Sequence, residues 1–362
     1  MKVAIIGGGF AGIVCATQLE RLGIIPDIFE RNNDVAEPYR HVGAALQIVL
    51  RPIKDPLQYL NQNYNIDLKP SGLIKKVVHK SSSVCTTVTG NLGYFLYRGS
   101  EPDSIENQLA RNLKSKIFLN TEVNYKELKN DYDYVVVASG SPFEAKQLGI
   151  WQDIIKMSVK GTVVSGDFET DTFKVWINKD FCKSGYAYLA PFNNKEATLA
   201  LVVDEIKMDE IDKYWEHFIK SENINYKVEE CFKRIHYSGF VYPHRVDNIY
   251  FIGNAGGALD PLLGFGIFPS VVTASEAAKS IVNRVNYESG IKNVVELNMK
   301  LLEFRKIFNM LDNNGCDLLV RLIGLPGVNS LVYRTNINAV TMGYSALKPL
   351  NALIQLGKKL KH

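Results

Sequence analysis

Two glycine-rich stretches carry the residues best suited to chemistry. The first, Gly7-Gly8-Gly9-Phe10-Ala11-Gly12, has the G-x-G-x-x-G spacing that lets a backbone close around a diphosphate. Gly7 permits a tight turn, Gly9 puts no side chain between backbone and pyrophosphate, and Gly12 allows close helix–sheet packing. The N–H groups that open the next helix, from Phe10 and Ala11 onward, point with the helix dipole at the phosphates. Glu30, eighteen residues after Gly12, stands where a carboxylate accepts bonds from ribose hydroxyls. The second stretch runs from Gly253-Asn254 through Pro261, Gly264 and Gly266 to Ile267. Its free N–H groups suit negative charge, and the Asn254 amide suits a hydroxyl.

The elements that position these residues are legible around them. Val3-Ala4-Ile5-Ile6 is an all-apolar run, as expected of a parallel strand covered on both faces. A helix pattern follows to about Leu22 and stops at Gly23, and a second strand, Asp27-Ile28-Phe29, ends on Glu30. Strand, glycine turn, helix and terminal acid together predict a Rossmann unit for a dinucleotide, FAD or NAD. Ile249–Ile252 predicts another buried strand, and a helix is expected from about Ile267 to Arg284, with Pro269 tolerated in its first turn.

The residues between these motifs resemble a known superfamily. The stretch from Glu37 through Arg40, Gly43 and Ala44 to Gln47 looks like the flavin-side loop of the para-hydroxybenzoate-hydroxylase-like flavoproteins. Tyr97-Arg98 ahead of a helix from Ser104 to Leu113 resembles the superfamily's next element, and Asp133–Gly140 its second glycine motif. Ser139-Gly140 replaces the usual Asp-Gly, and Asn254 replaces the acid that binds the ribityl chain. Gly185-Tyr186-Ala187-Tyr188-Leu189-Ala190-Pro191 is similar to the Tyr-x-Trp-x-Phe-Pro signature of the geranylgeranyl reductase family. Val241-Tyr242-Pro243 and Gly253 through Ile267 also resemble that family.

This resemblance, which covers residues 1 to about 290, implies FAD as the cofactor. The implied contacts are Gly7, Gly9, Phe10, Ala11, Gly12, Glu30, Arg31, Arg40, Gly43, Ala44, Arg98, Val123, Ala138, Ser139, Gly140, Gly253, Asn254, Pro261, Gly264, Gly266 and Ile267. It implies a reductase that saturates carbon–carbon double bonds of a hydrophobic, prenyl-like or lipid-like substrate by hydride transfer from flavin N5. NAD(P)H or a reduced electron carrier would dock transiently as donor. The alternative is a single-component FAD monooxygenase acting on an aromatic or polyketide-like molecule. Tyr186 and Tyr188 share one face of a strand and are the candidate catalytic residues; the bland reading makes them core aromatics.

The fold class expected is α/β plus α+β. A discontinuous Rossmann-type FAD-binding domain (1–72, 98–156 and 247–290) carries an inserted antiparallel sheet over the substrate (73–97 and 157–246) and a helical region (291–362). Strands are expected at Gly161–Phe168, Phe173–Ile177, Gly185–Ala190 and Ala197–Val203, with a helix near Asp209–Lys220. Leu301–Leu311, Asp317–Ile323 and Ala346–Leu360 read as later helices, the last ending in Lys358-Lys359-Leu360-Lys361. A basic apolar end can rest on an anionic membrane, though basic residues also simply favour a helix C-terminus.

Composition narrows the classes. With 46% hydrophobic and 22% charged residues the chain is globular, and a net charge of +4 over 362 residues argues against nucleic acid as a partner. The five cysteines are scattered with no C-x-x-C pair, so reduced thiols and a cytoplasmic location are expected. The six histidines show no metal-ligand spacing, so no metal is expected. The oligomeric state is open.

Overall fold

The computed structural model describes residues 1–344 except 36, 331, 332, 334, 336, 337 and 339. The expected helix Ala346–Leu360 lies outside the described residues. Two sheets organise the rest.

The smaller sheet has six strands in the order Arg245–Val246, Ile249–Phe251, Tyr134–Val137, Val3–Ile6, Asp27–Phe29 and Ile117–Phe118. All neighbours run parallel except the outermost pair, Arg245–Val246 with Ile249–Phe251. The all-apolar composition of Val3–Ile6 follows from its central place, covered on both faces. Helices Phe10–Arg21 and Ile267–Asn283 pack side by side on one face, where Ile13, Val14 and Leu19 meet Val271, Ala274 and Ala278. The alanines and serines of the second helix allow that close approach.

The larger sheet has eight strands in the order Lys227–Val241, Trp151–Ser165, Glu196–Asp204, Tyr186–Pro191, Thr172–Trp176, Gly72–Lys80, Cys85–Arg98 and His41–Leu46. It is antiparallel apart from Gly72–Lys80 beside Thr172–Trp176. Its outer face is closed by the helix Ile211–Ser221, whose Trp215 and Phe218 cover Ala187, Leu189, Leu199 and Leu201. The alternate residues Tyr186, Tyr188, Ala200 and Val202 therefore face the other way. That inner face is tied to the second glycine loop: the Tyr186 hydroxyl donates to the Leu263 carbonyl at 2.5 Å, and the Ser238 hydroxyl to the Leu259 carbonyl at 3.1 Å.

The sheet pieces differ from the sequence expectation at three places. His41–Leu46, expected inside the cofactor stretch 1–72, pairs with Cys85–Arg98 and so edges the larger sheet. Trp151–Ser165 starts ten residues before the expected strand at Gly161 and belongs to that sheet along its whole length. Lys227–Val241, not expected as a strand, is its outermost member.

Beyond both sheets, Tyr287–Met310 packs on Ile267–Asn283, and Asn313–Gly324 lies against Cys85–Arg98. Arg305 is fully buried and bonds Asp204 at 3.0 Å, which fastens the long helix to the larger sheet.

Candidate active site and cofactor groove

The first glycine turn is built as the spacing requires. Gly7 has φ +108°, and a Cβ there would lie 2.5 Å from the Ala138 carbonyl oxygen. A Cβ on Gly12 would lie 2.0 Å from the Gly7 oxygen, so both positions need glycine to fold. Gly9 is different. Its backbone is extended at φ −76°, and a Cβ there would meet nothing within 4 Å. That open space above the turn is a cradle for a ligand. The helix beginning at Phe10 has no side-chain cap and no acid in its first turn, leaving its N–H groups for an anion. Buried Glu30 accepts from the Gly8 N–H at 2.7 Å and the Asn32 N–H at 2.8 Å, so its carboxylate is held beside the turn.

The second turn meets the first. A Cβ on Gly253 (φ +55°) would come within 2.6 Å of the Ala11 Cβ. Residues more than two hundred positions apart thus form one wall. A Cβ on Gly266 would lie 3.1 Å from the Asn254 Oδ1, which places that amide at the start of the helix Ile267–Asn283. This helix start also lacks a side-chain cap and a first-turn acid. Two uncapped helix N-termini on adjoining turns fit the diphosphate and the flavin end of FAD, each a partly anionic group.

Asp260 is the organiser that sequence reading overlooked. Its buried carboxylate accepts from the N–H groups of Leu262 (2.7 Å), Leu263 (2.8 Å) and Phe265 (2.9 Å). These bonds fix Pro261 through Gly264, where Gly264 takes φ +74°. Burial raises the Asp260 pKa, opposed by those three N–H groups. An acid followed by a Pro-x-x-Gly turn was its available signal.

Other expected residues divide. Arg98 reaches the groove: its guanidinium carbon stands 5.8 Å from the Phe10 ring centroid, and its Nε bonds Glu106 at 2.6 Å. Gly43 lies beside it, with a would-be Cβ 3.6 Å from the Arg98 Cγ. Ala138 bonds the Ile6 carbonyl at 2.8 Å next to Gly7, and Val123 packs by the cluster that holds Ile6 and Val137. The Ser139 hydroxyl instead donates to Glu144 at 2.9 Å, while Gly140 is open with φ +71°. Arg31 is exposed.

Two expectations need correcting. Arg40 does not turn to the groove: its Nη2 bonds Glu196 and its Nε bonds Glu230, both at 2.7 Å, so carboxylates of two strands of the larger sheet claim its charge. The Ala44 side chain points into the core with Val77 and Phe95, leaving only its backbone free for a cofactor.

On the inner face of the larger sheet, Val159, Val202 and Tyr186 share one row with Arg234, and Met157 lies in the next with His236. Arg234 donates through Nη1 to Glu37 and, at 2.9 Å, to the Tyr39 hydroxyl, while Tyr39 stacks on Phe232 at 4.0 Å. The Arg234 charge, with help from His41, holds the Glu37 carboxyl at about 2 despite the opposing burial. Burial lowers His41 to about 4 and His236 well below its ordinary value. Burial likewise pushes the Tyr186 phenol far up and Tyr188 to about 12, so neither gives up its proton readily. Both tyrosines line this face, as the sequence suggested, but Tyr186 is already engaged by Leu263.

A Rossmann turn, a second helix start on the same groove and an antiparallel roof place this chain, by fold, with the FAD-dependent reductases and oxygenases. The NAD(P)-binding Rossmann-like domain family matches residues 5–64. The chain is similar to a digeranylgeranylglycerophospholipid reductase of Methanosarcina acetivorans, 21% identical over 79% of this chain and 75% of that protein. Among solved structures it resembles a geranylgeranyl bacteriochlorophyll reductase-like protein of Thermoplasma acidophilum, with TM-score 0.73 at 15% identity over 96% of this chain and 98% of that one. It also resembles p-nitrophenol 4-monooxygenase of Pseudomonas putida, with TM-score 0.63 at 14% identity over 91% and 96%. The likeness to a geranylgeranyl-reductase-like fold read from the motifs agrees with these matches.

Proposed function

We propose that this chain is an FAD-dependent oxidoreductase of the geranylgeranyl reductase type, which saturates carbon–carbon double bonds in a hydrophobic isoprenoid substrate. The observation that carries the reading is the contact between Gly253 and Ala11, which joins both glycine turns into one groove with two free helix N-termini. The reductase similar over 79% of the chain favours the isoprenoid class. The reduced form of FAD, when bound, would supply hydride to one carbon of the double bond and be left oxidised. The chain's residues do the rest. The Gly9 turn and Glu30 hold the ADP half, Asn254 and the Ile267 helix start hold the flavin half, and Asp260 keeps the intervening loop in shape. Val159, Val202 and Met157 offer an apolar wall, with Tyr186 and Tyr188 beside it. Burial keeps both phenols protonated, so they line the wall, and a nearby acid or water would supply the proton for the second carbon. NAD(P)H or a small electron carrier docks transiently, since the chain has one G-x-G-x-x-G sequence.

The test is anaerobic. FAD-loaded protein is reduced, first with dithionite and then with NADH or NADPH, and offered geranylgeranyl lipids. Saturated product by mass spectrometry, with return of oxidised flavin, supports the reading. A second reading, a monooxygenase, draws on the likeness to p-nitrophenol 4-monooxygenase. It is chosen instead if turnover consumes oxygen and the product gains a hydroxyl.

A further inference from the structure

The inner face of the larger sheet carries polar groups that no described residue satisfies. Tyr188, Ala200 and Gly161 stand side by side there, and the Phe232 ring lies over Gly161, where a Cβ would come within 2.1 Å of its Cζ. The next rows set Arg234 beside Val159 and Val202, and His236 beside Met157. Arg234 uses only Nη1, on Glu37 and Tyr39. Its Nε and Nη2, the Tyr188 hydroxyl and the His236 ring have no hydrogen-bond partner among the described residues. All three residues are half-buried, Arg234 with 22% of its side chain exposed, so these groups open on the space beside the apolar wall of Val159, Val202 and Met157. Close to them, the Glu37 Oε2 and His41 Nδ1 are buried and also lack a partner.

Charge decides which chemical group fits these partners. Arg234 is offset by Glu37, and Arg98 by Glu106 at 2.6 Å. Burial first, then the Arg234 and Arg98 charges, keeps His41 and His236 neutral against the opposing pull of Glu37. The cluster therefore has donors and acceptors to offer but no net charge. A phosphate or carboxylate would leave water here with no counter-charge waiting for it. A hydroxyl has a use for every group: its oxygen accepts from the Arg234 N–H groups or the Tyr188 O–H, and its own O–H donates to the free nitrogen of neutral His236. We infer that this face recognises the uncharged hydroxyl end of an isoprenoid alcohol, with Arg234 and Tyr188 donating to its oxygen and His236 accepting from it, while the chain lies along Val159, Val202 and Met157. Glu37 acts behind them as a positioning residue that holds and neutralises Arg234. The inference rests on the isoprenoid substrate proposed above and adds the end group that the site selects.

The experiment is equilibrium dialysis of FAD-loaded protein against labelled geranylgeraniol, geranylgeranyl monophosphate and the same chain with hydrogen in place of the hydroxyl, each below its aggregation concentration. The alcohol is expected to bind about tenfold or more tightly than the monophosphate, the scale of burying a charge without a partner. Tyr188→Phe is expected to weaken the alcohol by about twofold to tenfold, the scale of one net hydrogen bond, and to leave the oxygen-free chain unchanged. Glu37→Gln, which leaves the Arg234 charge without its offset, is expected to reverse the preference towards the monophosphate. The inference is overturned if the parent protein binds the monophosphate as tightly as the alcohol. It is also overturned if Tyr188→Phe binds the alcohol like the parent, or weakens the alcohol and the oxygen-free chain alike. Preferred binding of the alcohol with no saturation of it by the reduced, FAD-loaded protein would remove the reductase reading and leave this inference standing. Binding of none of the three would remove both.

Discussion

Two glycines three residues apart should respond oppositely to substitution. Gly9 has ordinary extended backbone, and a Cβ there meets nothing within 4 Å. Gly9→Ala or Gly9→Val should therefore change stability by no more than about 1 kcal/mol, the difference between N-cap residues. The added methyl groups would fill the space assigned to the diphosphate. Loss of even one or two charge-assisted N–H bonds, at about 1.5–3 kcal/mol each, weakens FAD by roughly tenfold to ten-thousandfold. Gly12→Ala should instead damage the fold, because its Cβ would lie 2.0 Å from the Gly7 oxygen. The assays are thermal unfolding of the apoprotein and flavin fluorescence titration. The expected pattern is a folded, flavin-poor Gly9→Val and an unstable Gly12→Ala. A Gly9→Val protein that binds FAD like the parent would refute the placement of the diphosphate.

Further outcomes follow from the same geometry. Arg40→Ala should leave the FAD Kd unchanged, since the guanidinium is held by Glu196 and Glu230; a large rise in Kd would return Arg40 to the groove. Asp260→Ala should raise the FAD Kd about tenfold or more by releasing the N–H groups of Leu262, Leu263 and Phe265, and titration of the variant checks this. His41, lowered to about 4, binds its proton more readily when unfolded, so its share of stability is complete above about pH 6.5 and lost as pH falls toward 4. His79, also at about 4, and His236 act in the same direction. Urea midpoints should therefore fall from pH 7 to pH 4, and His41→Gln should flatten that fall. Glu37, held at about 2, adds stability that is present above its unfolded range near 4.5 and lost as pH falls toward 2, at most about 3 kcal/mol. Glu37→Gln should remove that lower part of the acid transition.

The cofactor half was legible because its signals are local. A strand, a glycine turn and a helix start occupy consecutive residues, and Gly7 and Gly12 have no substitute where the backbones touch. The roof was less legible for a physical reason. On Lys227–Val241 the inward positions are Phe232, Arg234, His236 and Ser238, so apolar alternation is missing from a strand that faces the site. Its partners, Glu37, Tyr39 and His41, lie nearly two hundred residues earlier, and only the fold joins them. The Arg40 expectation failed because a resemblance fixes the position of a residue but not which neighbouring carboxylates will take its charge.

The most direct test of the central claim is the amount and identity of bound cofactor. Apoprotein titrated with FAD, desalted and denatured should release one intact FAD per chain by absorbance and mass spectrometry. A chain that stays colourless with excess FAD would contradict the account.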